Sequence, residues 1–259
     1  MRVLGLDSSG LVASVAIVED DNMMAEYTVN YKKTHSQTLL PMLDEISKMI
    51  ELDMKTIDAI AVSAGPGSFT GLRIGAATAK GLGLALDKPV ISVPTVDGLA
   101  YNLYGCQDMV CPLMDARRNQ VYTGLYEFTP EATKEALEKA GVSKEEYYED
   151  GEDQFAMKAI LPQIAVGIDE IVARVNELER PVVFLGDGVP VFKKYIAENC
   201  TVPYSFAPAH MNKQRAAAVA ALGLVLAKAG SLESAADHRP DYLRLSQAER
   251  ELAEKQHKL

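Results

Sequence analysis

The sequence predicts an α/β fold, and three features of the chain indicate it. Strand-like apolar segments alternate with segments of helical period, most clearly in the first third. The chain has 259 residues, of which 48% are hydrophobic and 24% charged, which is typical of a globular protein with one large domain or two modest ones. A glycine-rich turn, Gly65 to Gly75, joins a predicted strand to a predicted helix.

The first third is predicted to be a strand meander followed by alternating helices and strands. Strands over Val3–Asp7, Val12–Glu19 and Met24–Tyr31 are joined by short turns, the first being Ser8-Ser9-Gly10. The next predicted elements are helix Ser36–Glu51, strand Ile57–Ala64, helix Thr70–Leu86, strand Val90–Val93 and helix Val96–Tyr104. This order describes half of an actin-like ATPase lobe.

The remainder of the chain divides at a shift in composition near Gly105. Its predicted elements are strands Met109–Met114 and Gln120–Phe128, short helices and loops in the acidic stretch Thr129–Asp153, helix Gln163–Leu178, strand Pro181–Leu185, helix Val189–Asn199 and helix Lys213–Ala229. We therefore expect an N-terminal lobe over residues 1–105, completed by a helix over 212–230. A C-terminal lobe over 106–211 and a polar tail over 231–259 make up the rest.

Charge and composition exclude several functions. The net charge of −10 and the lack of a Lys/Arg stripe argue against tight binding of a nucleic-acid backbone by this chain alone. No apolar stretch is long enough for a membrane span and no signal-peptide core is present, so we expect a cytoplasmic protein. Its three cysteines and four histidines are scattered without metal-ligand spacing, and we predict no metal site.

The glycine run resembles a phosphate-binding loop but fails both common patterns. A P-loop requires Lys and then Ser or Thr after its second glycine, whereas Gly71 is followed by Leu72 and Arg73. Pro66 between the first two glycines breaks the dinucleotide-binding pattern. The sequence therefore favours a tight turn that docks the following helix over direct phosphate binding.

That helix carries small residues at every fourth position, Gly71, Gly75, Ala79 and Gly83, a spacing that lets another backbone approach closely. Its other faces are mostly apolar, and a helix that is apolar all round is buried all round. The helix Ser36–Glu51 also has a broad apolar face. From the pattern alone, the two helices either cover each other within one chain or face a partner.

Three further motifs have both a functional and a purely structural interpretation. Asp7-Ser8-Ser9 and Gly186-Asp187-Gly188 occupy places where actin-like ATPases bind phosphates and adenosine, but both also suit ordinary turns. Arg117 and Arg118 beside Asp115 could bind an anion or form a salt-bridged turn. The sequence shows no strand-end carboxylate pair with a base and no cluster of metal ligands, so we predict no catalytic residues.

The segment from Ile60 to Gly75, followed by Lys80-Gly81-Leu82, closely resembles the signature of the TsaB (YeaZ) family. Other matching motifs occur in the family's order along nearly the whole chain: Leu6-Asp7-Ser8-Ser9, His35-Ser36, Leu39-Leu40-Pro41, Asp115-Ala116-Arg117, Val121-Tyr122, and Pro240 through Tyr242-Leu243-Arg244 to Ala248-Glu249.

This resemblance implies a two-lobed actin/Hsp70/sugar-kinase-like (ASKHA) fold and a non-catalytic subunit of the bacterial machinery that makes threonylcarbamoyladenosine (t6A) in tRNA. It implies a TsaD-type transferase paralogue and a TsaE-type ATPase as partners, a homodimer when the chain is alone, and contact with tRNA only through the complex. No cofactor is expected, with ATP or ADP bound at most weakly or at the complex interface.

The resemblance also assigns a partner interface to the two apolar helices. Its expected residues are Leu39, Leu40, Leu43, Ile46, Gly71, Leu72, Ile74, Gly75, Thr78, Ala79 and Leu82. Thr95 and Leu99 stand where the paralogue has its two metal-binding histidines, so metal-dependent transfer is not expected. The competing hypotheses are an autonomous degenerate ATPase or kinase, a glycoprotease-like peptidase, and a protein that regulates its partner's lifetime.

Overall fold

The computed structural model describes residues 1–31, 34–130, 147–148 and 155–243, which form two β-sheets and their flanking helices. The first sheet has the strand order β3-β2-β1-β4-β5. Its strands are β1 (Arg2–Asp7), β2 (Ala13–Glu19), β3 (Asn22–Val29), β4 (Ala59–Gly65) and β5 (Val90–Pro94). β1, β2 and β3 form an antiparallel meander, and β4 and β5 are parallel to β1.

The second sheet has the order β11-β10-β6-β7-β9-β8. Its strands are β6 (Met109–Asp115), β7 (Gln120–Pro130), β8 (Tyr147–Tyr148), β9 (Phe155–Gly167), β10 (Val182–Leu185) and β11 (Tyr204–Phe206). Here β6, β7 and β9 form the antiparallel meander, and β10 and β11 are parallel to β6. The second sheet thus repeats the topology of the first.

This repeated topology confirms the predicted α/β fold of the ASKHA type. It also makes two pairs of turns equivalent in the two lobes. The β1–β2 turn at Ser8-Ser9 corresponds to the β6–β7 turn at Arg117-Arg118. The glycine run after β4 corresponds to the turn Gly186-Asp187-Gly188 after β10.

The helices form layers on and between the sheets. They are α1 (Leu39–Met49), α2 (Phe69–Leu86), α3 (Thr95–Ala100), α4 (Ile168–Glu177), α5 (Val189–Asn199) and α6 (Ala216–Lys228). Alternate residues of each strand face opposite layers. Leu4 of β1 packs towards α1 and α2, whereas Val3 faces the core that α3 and α6 fill between the sheets. α4 and α5 cover the outer face of the second sheet.

The first turn of α6 is held by side chains of the first sheet. Glu26 of β3 accepts hydrogen bonds from Arg215 and from the backbone N–H of Ala217, and Ser14 accepts one from the N–H of Ala216 (2.9 Å). These bonds satisfy N–H groups that a helix start leaves without partners, and the carboxylate suits the positive end of the helix dipole. α6 is therefore anchored to the N-terminal sheet, although 189 positions separate Glu26 from Arg215 in sequence.

The sequence was misleading in two stretches of the C-terminal half. A helix was predicted over Gln163–Leu178, but residues up to Gly167 belong to β9 and only Ile168–Glu177 is helical. Pairing with β7, which lies far away in sequence, decides this conformation. The strand β11 was not predicted. The acidic stretch Thr129–Asp153 falls mostly outside the described residues.

The C-terminal segment is not simply a polar tail. Residues 231–243 pack along α2 and pair with β5 through Val90 and Glu233, and the rest of the predicted tail lies outside the described residues. The division into lobes at Gly105 remains our proposed boundary. Among the helices that the structure describes, none is long and apolar enough to cross a membrane.

Candidate functional site

The β1–β2 turn, one of the two motifs of the possible nucleotide cleft, is buried and hydrogen-bonded within the chain. Asp7, Ser8 and Ser9 are each at most 2% exposed. Asp7 Oδ1 accepts hydrogen bonds from the backbone N–H (2.9 Å) and hydroxyl (2.8 Å) of Ser9, and Oδ2 accepts one from the Ser63 hydroxyl (2.5 Å). Both carboxylate oxygens therefore have partners from the chain itself.

Burial changes the acidity of Asp7. Loss of hydration is the dominant effect and raises the pKa of the carboxyl above its usual value, against the opposing effect of the hydrogen bonds from Ser63 and Ser9. Such a carboxyl is poorly suited to holding a hydrated Mg²⁺, which is bound through ionised oxygens that water can reach.

The glycine run lies directly over this turn. The N–H of Ser68 donates to the carbonyl oxygen of Ser9 (2.6 Å), and the hydroxyl of Ser8 donates to the carbonyl oxygen of Gly71 (2.9 Å). A Cβ atom at Gly67 would lie 2.4 Å from the Ser9 oxygen, and one at Gly71 only 2.0 Å from the Ser8 oxygen. The glycines are needed because two stretches of backbone meet here.

The expectation that the small residues of α2 make room for another subunit is therefore wrong for three glycines of the series. Gly71 and Gly75 face Ser8, and a Cβ at Gly75 would lie 2.6 Å from the Ser8 hydroxyl. Gly83 faces Ala235 of the C-terminal segment, where a Cβ would lie 2.6 Å from the Ala235 methyl group. The ridge of small residues packs inside the chain because its own β1–β2 turn and C-terminal segment lie against it.

Most side chains expected at a partner interface are also covered by the chain's own core. The buried members are Leu39, Leu43, Ile46, Gly71, Leu72, Gly75 and Ala79. Ile74, Thr78 and Leu82 are partly buried, and Leu40 is 51% exposed. The physical reason is that α1 and α2 turn their apolar faces onto the first sheet, where Leu4, Ile17 and Ile60 meet them.

What α1 and α2 leave accessible is a narrower surface. On α2 the exposed residues follow one stripe, Thr70, Arg73, Ala77, Gly81, Leu84 and Ala85. Leu84 is 64% exposed, and no atom lies within 4 Å of a Cβ built at Gly81. On α1 the exposed apolar side chains are Leu40 and Met49. Leu40, Met49 and this stripe together form what we call the α1–α2 surface.

The second lobe places Gly186-Asp187-Gly188 against β6. Gly186 has a φ of +110°, and the N–H of Gly188 donates to the carbonyl oxygen of Leu113 (2.8 Å). Asp187 Oδ1 accepts a hydrogen bond from the N–H of Asp115 (3.3 Å), and burial raises the pKa of Asp187. These contacts give the turn a role in holding β6 next to α5.

Residues 212–214 lie between the two turns that the sequence offered as a possible nucleotide cleft. The carbonyl oxygen of Asn212 accepts a hydrogen bond from the N–H of Gly186 (2.8 Å). Gln214, 1% exposed, lies against Gly10, where a Cβ would be 3.0 Å from its amide nitrogen. The chain itself thus occupies space between the β1–β2 turn and the β10–α5 turn.

The predicted anion contact lies at the exposed β6–β7 turn. Arg117, Arg118 and Asn119 all have a positive φ, between 56° and 64°, which is uncommon for three consecutive residues with side chains. Arg117 forms an ion pair with Asp115 (3.0 Å) and is 82% exposed, as the salt-bridged-turn interpretation predicts. Arg118 is also exposed. The backbone thus holds two guanidinium groups at the surface.

The residues aligned with the paralogue's histidines do not fit a metal ion. The hydroxyl of Thr95, which is 1% exposed, accepts a hydrogen bond from the N–H of Gly65 (3.1 Å). Leu99 is equally buried and has no donor atom for a metal. Among the described residues no cluster of three His, Cys, Asp or Glu side chains could hold a metal ion.

The structure brings together one serine, one histidine and one glutamate that the sequence analysis did not connect. Ser92 Oγ lies 2.9 Å from Nδ1 of His238, and Oε1 of Glu233 lies 2.8 Å from the same nitrogen. A hydrolytic triad needs the serine on one ring nitrogen and the carboxylate on the other. Here both share Nδ1 and the His238 side chain is fully buried, so the cluster joins the C-terminal segment to β5.

The repeated sheets define a two-lobed ASKHA-type protein in which the glycine run packs against the buried β1–β2 turn. A family model described as "TsaD: tRNA N6-adenosine threonylcarbamoyltransferase" matches residues 22–252. A relative from Bacillus subtilis, "tRNA threonylcarbamoyladenosine biosynthesis protein TsaB", is 30% identical over 99% of this chain and 100% of its own. The chain therefore belongs to the TsaB (YeaZ) branch of that family.

Two further comparisons agree with this assignment. The TsaB protein of Escherichia coli is 34% identical over 49% of this chain and 55% of its own length. The solved structure "YeaZ from Pseudomonas aeruginosa" superposes with a TM-score of 0.72 at 23% identity, covering 93% of this chain and 99% of that one, which supports the fold.

Proposed function

We propose that this chain is a non-catalytic subunit in the biosynthesis of t6A in tRNA, which binds and activates a TsaD-type transferase together with a TsaE-type ATPase. Its relatives bear the name of tRNA threonylcarbamoyladenosine biosynthesis proteins. The observation that supports a non-catalytic role is the packing of the glycine run on Ser8 and Ser9, in the turn where an ATPase of this fold would be expected to hold phosphates.

An autonomous ATPase or kinase is the less favoured function. Such an enzyme would need the Asp7 carboxylate and the amides of the β1–β2 turn free for metal and phosphate. In this chain the Asp7 carboxylate accepts hydrogen bonds from Ser9 and Ser63, and the carbonyl oxygen of Ser9 accepts one from the N–H of Ser68. Any ATP or ADP is therefore expected to bind weakly or at the interface with a partner.

A peptidase is disfavoured on different grounds. Ser92 and His238 meet, but both the serine and Glu233 use the same ring nitrogen. The His238 side chain is fully buried, so a peptide substrate cannot reach it.

We propose that the partner contacts the α1–α2 surface and not the buried residues that the sequence indicated. Leu40 and Leu84 supply apolar area, and Gly81 permits close approach of another helix. A second copy of the chain would use the same surface when the transferase is absent. Arg117 and Arg118 are proposed as a separate contact to an acidic group of the complex, and tRNA would be reached through the partners.

Calorimetry and gel filtration test the choice between subunit and enzyme. The isolated chain is titrated with MgATP and then mixed with the TsaD-type paralogue. We expect no saturable heat of MgATP binding by the isolated chain, no ATP hydrolysis, and co-elution with the paralogue. Saturable MgATP binding with turnover that Asp7→Ala abolishes would replace this proposal with the autonomous ATPase.

A further inference from the structure

The C-terminal segment Ser231–Leu243, here called the strap, runs alongside α2 from its last turn to its first. Near the last turn, Glu233 exchanges two backbone hydrogen bonds of 3.0 Å with Val90 of β5. Near the first turn, the N–H of Asp241 donates to the carbonyl oxygen of Ala64 (2.7 Å). The strap therefore covers the outer edge of β5 and one flank of α2.

Lys80 joins the middle of α2 to the strap. Its Nζ donates to the carbonyl oxygens of Ala236 (2.7 Å) and His238 (3.2 Å). These are two carbonyl groups outside regular structure, and a single ammonium group satisfies both. Because Ala235 also packs on Gly83, the strap contacts α2 through a charged group and through close apolar packing.

The N-terminal end of α2 meets the strap through an aromatic stack. The rings of Phe69 and Tyr242 lie 4.4 Å apart, the guanidinium of Arg73 lies 4.1 Å from the centre of the Phe69 ring, and Arg73 Nε donates to the Tyr242 hydroxyl (3.4 Å). A Cβ at Gly65 would lie 1.9 Å from the Asp241 oxygen. The glycine run is thus enclosed between the β1–β2 turn and the strap.

The strap contacts the flank of α2 and reaches its exposed stripe only near the two ends, at Arg73 and Leu84. It also adds side chains next to that stripe. Leu232 is 45% exposed and lines a cavity of about 420 Å³ together with Leu84, and Tyr242 is 37% exposed beside Arg73. The exposed surface of α2 is therefore bordered by the strap at both of its ends.

We propose that the strap is a positioning element for partner binding: it fixes α2 in place, and the surface that contacts the partner exists only while the strap is docked. This inference rests on the proposed function. Lys80, Tyr242 and the Val90–Glu233 pair are positioning residues, since none of them lies on the open part of the stripe. This role also gives a function to the motif residues Pro240 to Leu243. The proposed non-catalytic function does not by itself explain why the chain carries this motif.

The test compares Lys80→Met, Lys80→Arg and Lys194→Met in the full chain. Met keeps the apolar stem of Lys80 but removes its donors, and Arg restores donors to the same carbonyl groups. Lys194 is the matched control, because its side chain is 88% exposed on α5, which covers the second sheet and not the strap. Two quantities are measured: exchange of the Asp241 amide hydrogen, and the Kd for the TsaD-type paralogue.

We expect Lys80→Met to speed exchange at Asp241 and to raise the Kd about tenfold, Lys80→Arg to restore both, and Lys194→Met to change neither. Tyr242→Ala provides a second route to release if Lys80→Met does not fold. Faster exchange with an unchanged Kd would overturn the proposal, and so would unchanged exchange in Lys80→Met. If the unaltered chain does not bind the paralogue, the proposed function fails instead.

Discussion

The carbonyl oxygen of Ser8 occupies the space that a side chain at Gly71 would need, and the Ser8 hydroxyl donates to the carbonyl oxygen of Gly71 (2.9 Å). This contact joins the β1–β2 turn to the first turn of α2. It links the glycine run, the most recognisable motif of the sequence, to the turn that the sequence offered as one possible phosphate-binding position. The glycine run packs directly on that turn.

Gly71→Ala should destabilise the protein, because its Cβ would lie 2.0 Å from a backbone oxygen that cannot move without disturbing β1. We expect a loss of about 3 kcal/mol in the free energy of unfolding, measured by urea denaturation. The control is Gly81→Ala on the same helix, where no atom lies within 4 Å. That change should stabilise by up to about 1 kcal/mol. Equal effects of the two changes would contradict the packing.

Asp7→Asn should raise stability near neutral pH, and the gain should shrink as the pH falls to about 4. Burial raises the pKa of Asp7 in the folded state. The stabilising contribution of its protonated form is complete below the unfolded pKa and is lost as the pH rises through the folded pKa. The Asn side chain avoids that loss. Urea unfolding near neutral pH and at about pH 4 measures the gap, which is the difference in unfolding free energy between Asp7→Asn and the unaltered chain.

Asp7→Ala is the companion variant, because it removes the acceptors of the Ser9 and Ser63 hydrogen bonds. It should destabilise at both pH values, since it leaves buried donors without partners. A gap between Asp7→Asn and the unaltered chain that does not vary with pH would show that Asp7 titrates normally.

Glu26→Gln should weaken the anchoring of α6. The Glu26 side chain is only 9% exposed and accepts hydrogen bonds from Arg215 and the Ala217 N–H. We expect a loss of about 1–2 kcal/mol, seen as a lower Tm. Glu198→Gln, which removes an exposed helix ion pair at 3.8 Å, should change stability by less than about 0.5 kcal/mol. A larger effect at Glu198 would argue against the anchoring role.

Leu40→Arg and Leu43→Ala separate surface from core on α1. Leu40 is 51% exposed, so a charge there should leave Tm nearly unchanged while reducing co-elution with the paralogue. Leu43 is 5% exposed, so its truncation should cost about 2–4 kcal/mol of unfolding free energy. Full co-elution of a folded Leu40→Arg variant would remove α1 from the proposed partner surface.

The local sequence pattern was sufficient to predict the helices and strands of the first lobe. It was less informative about structure that depends on contacts between distant residues. The meander, α1 and α2 follow from the alternation and helical period of their own residues. The end of β9 was mistaken for helix because an uncharged run from Ala159 to Gly167 has no period that separates the two states. Its conformation depends on pairing with β7.

The candidate site shows the same limit. Asp7, Ser8, Ser9 and the glycine run were each recognised in the sequence, but their mutual packing was not. The spacing of Gly71, Gly75 and Gly83 indicates close approach without indicating what approaches, and here it is Ser8 and Ala235. Ser92 and His238 are 146 positions apart, and no local pattern connects them.

Reconstitution of t6A formation tests the central claim most directly. Unmodified tRNA, threonylcarbamoyl-AMP, the TsaD-type transferase and the TsaE-type ATPase are combined with and without this chain, and t6A is quantified by mass spectrometry of the digested tRNA. We predict t6A only when the chain is present with the transferase, and none from the chain alone. Equal t6A without the chain, or t6A made by the chain alone, would contradict the account.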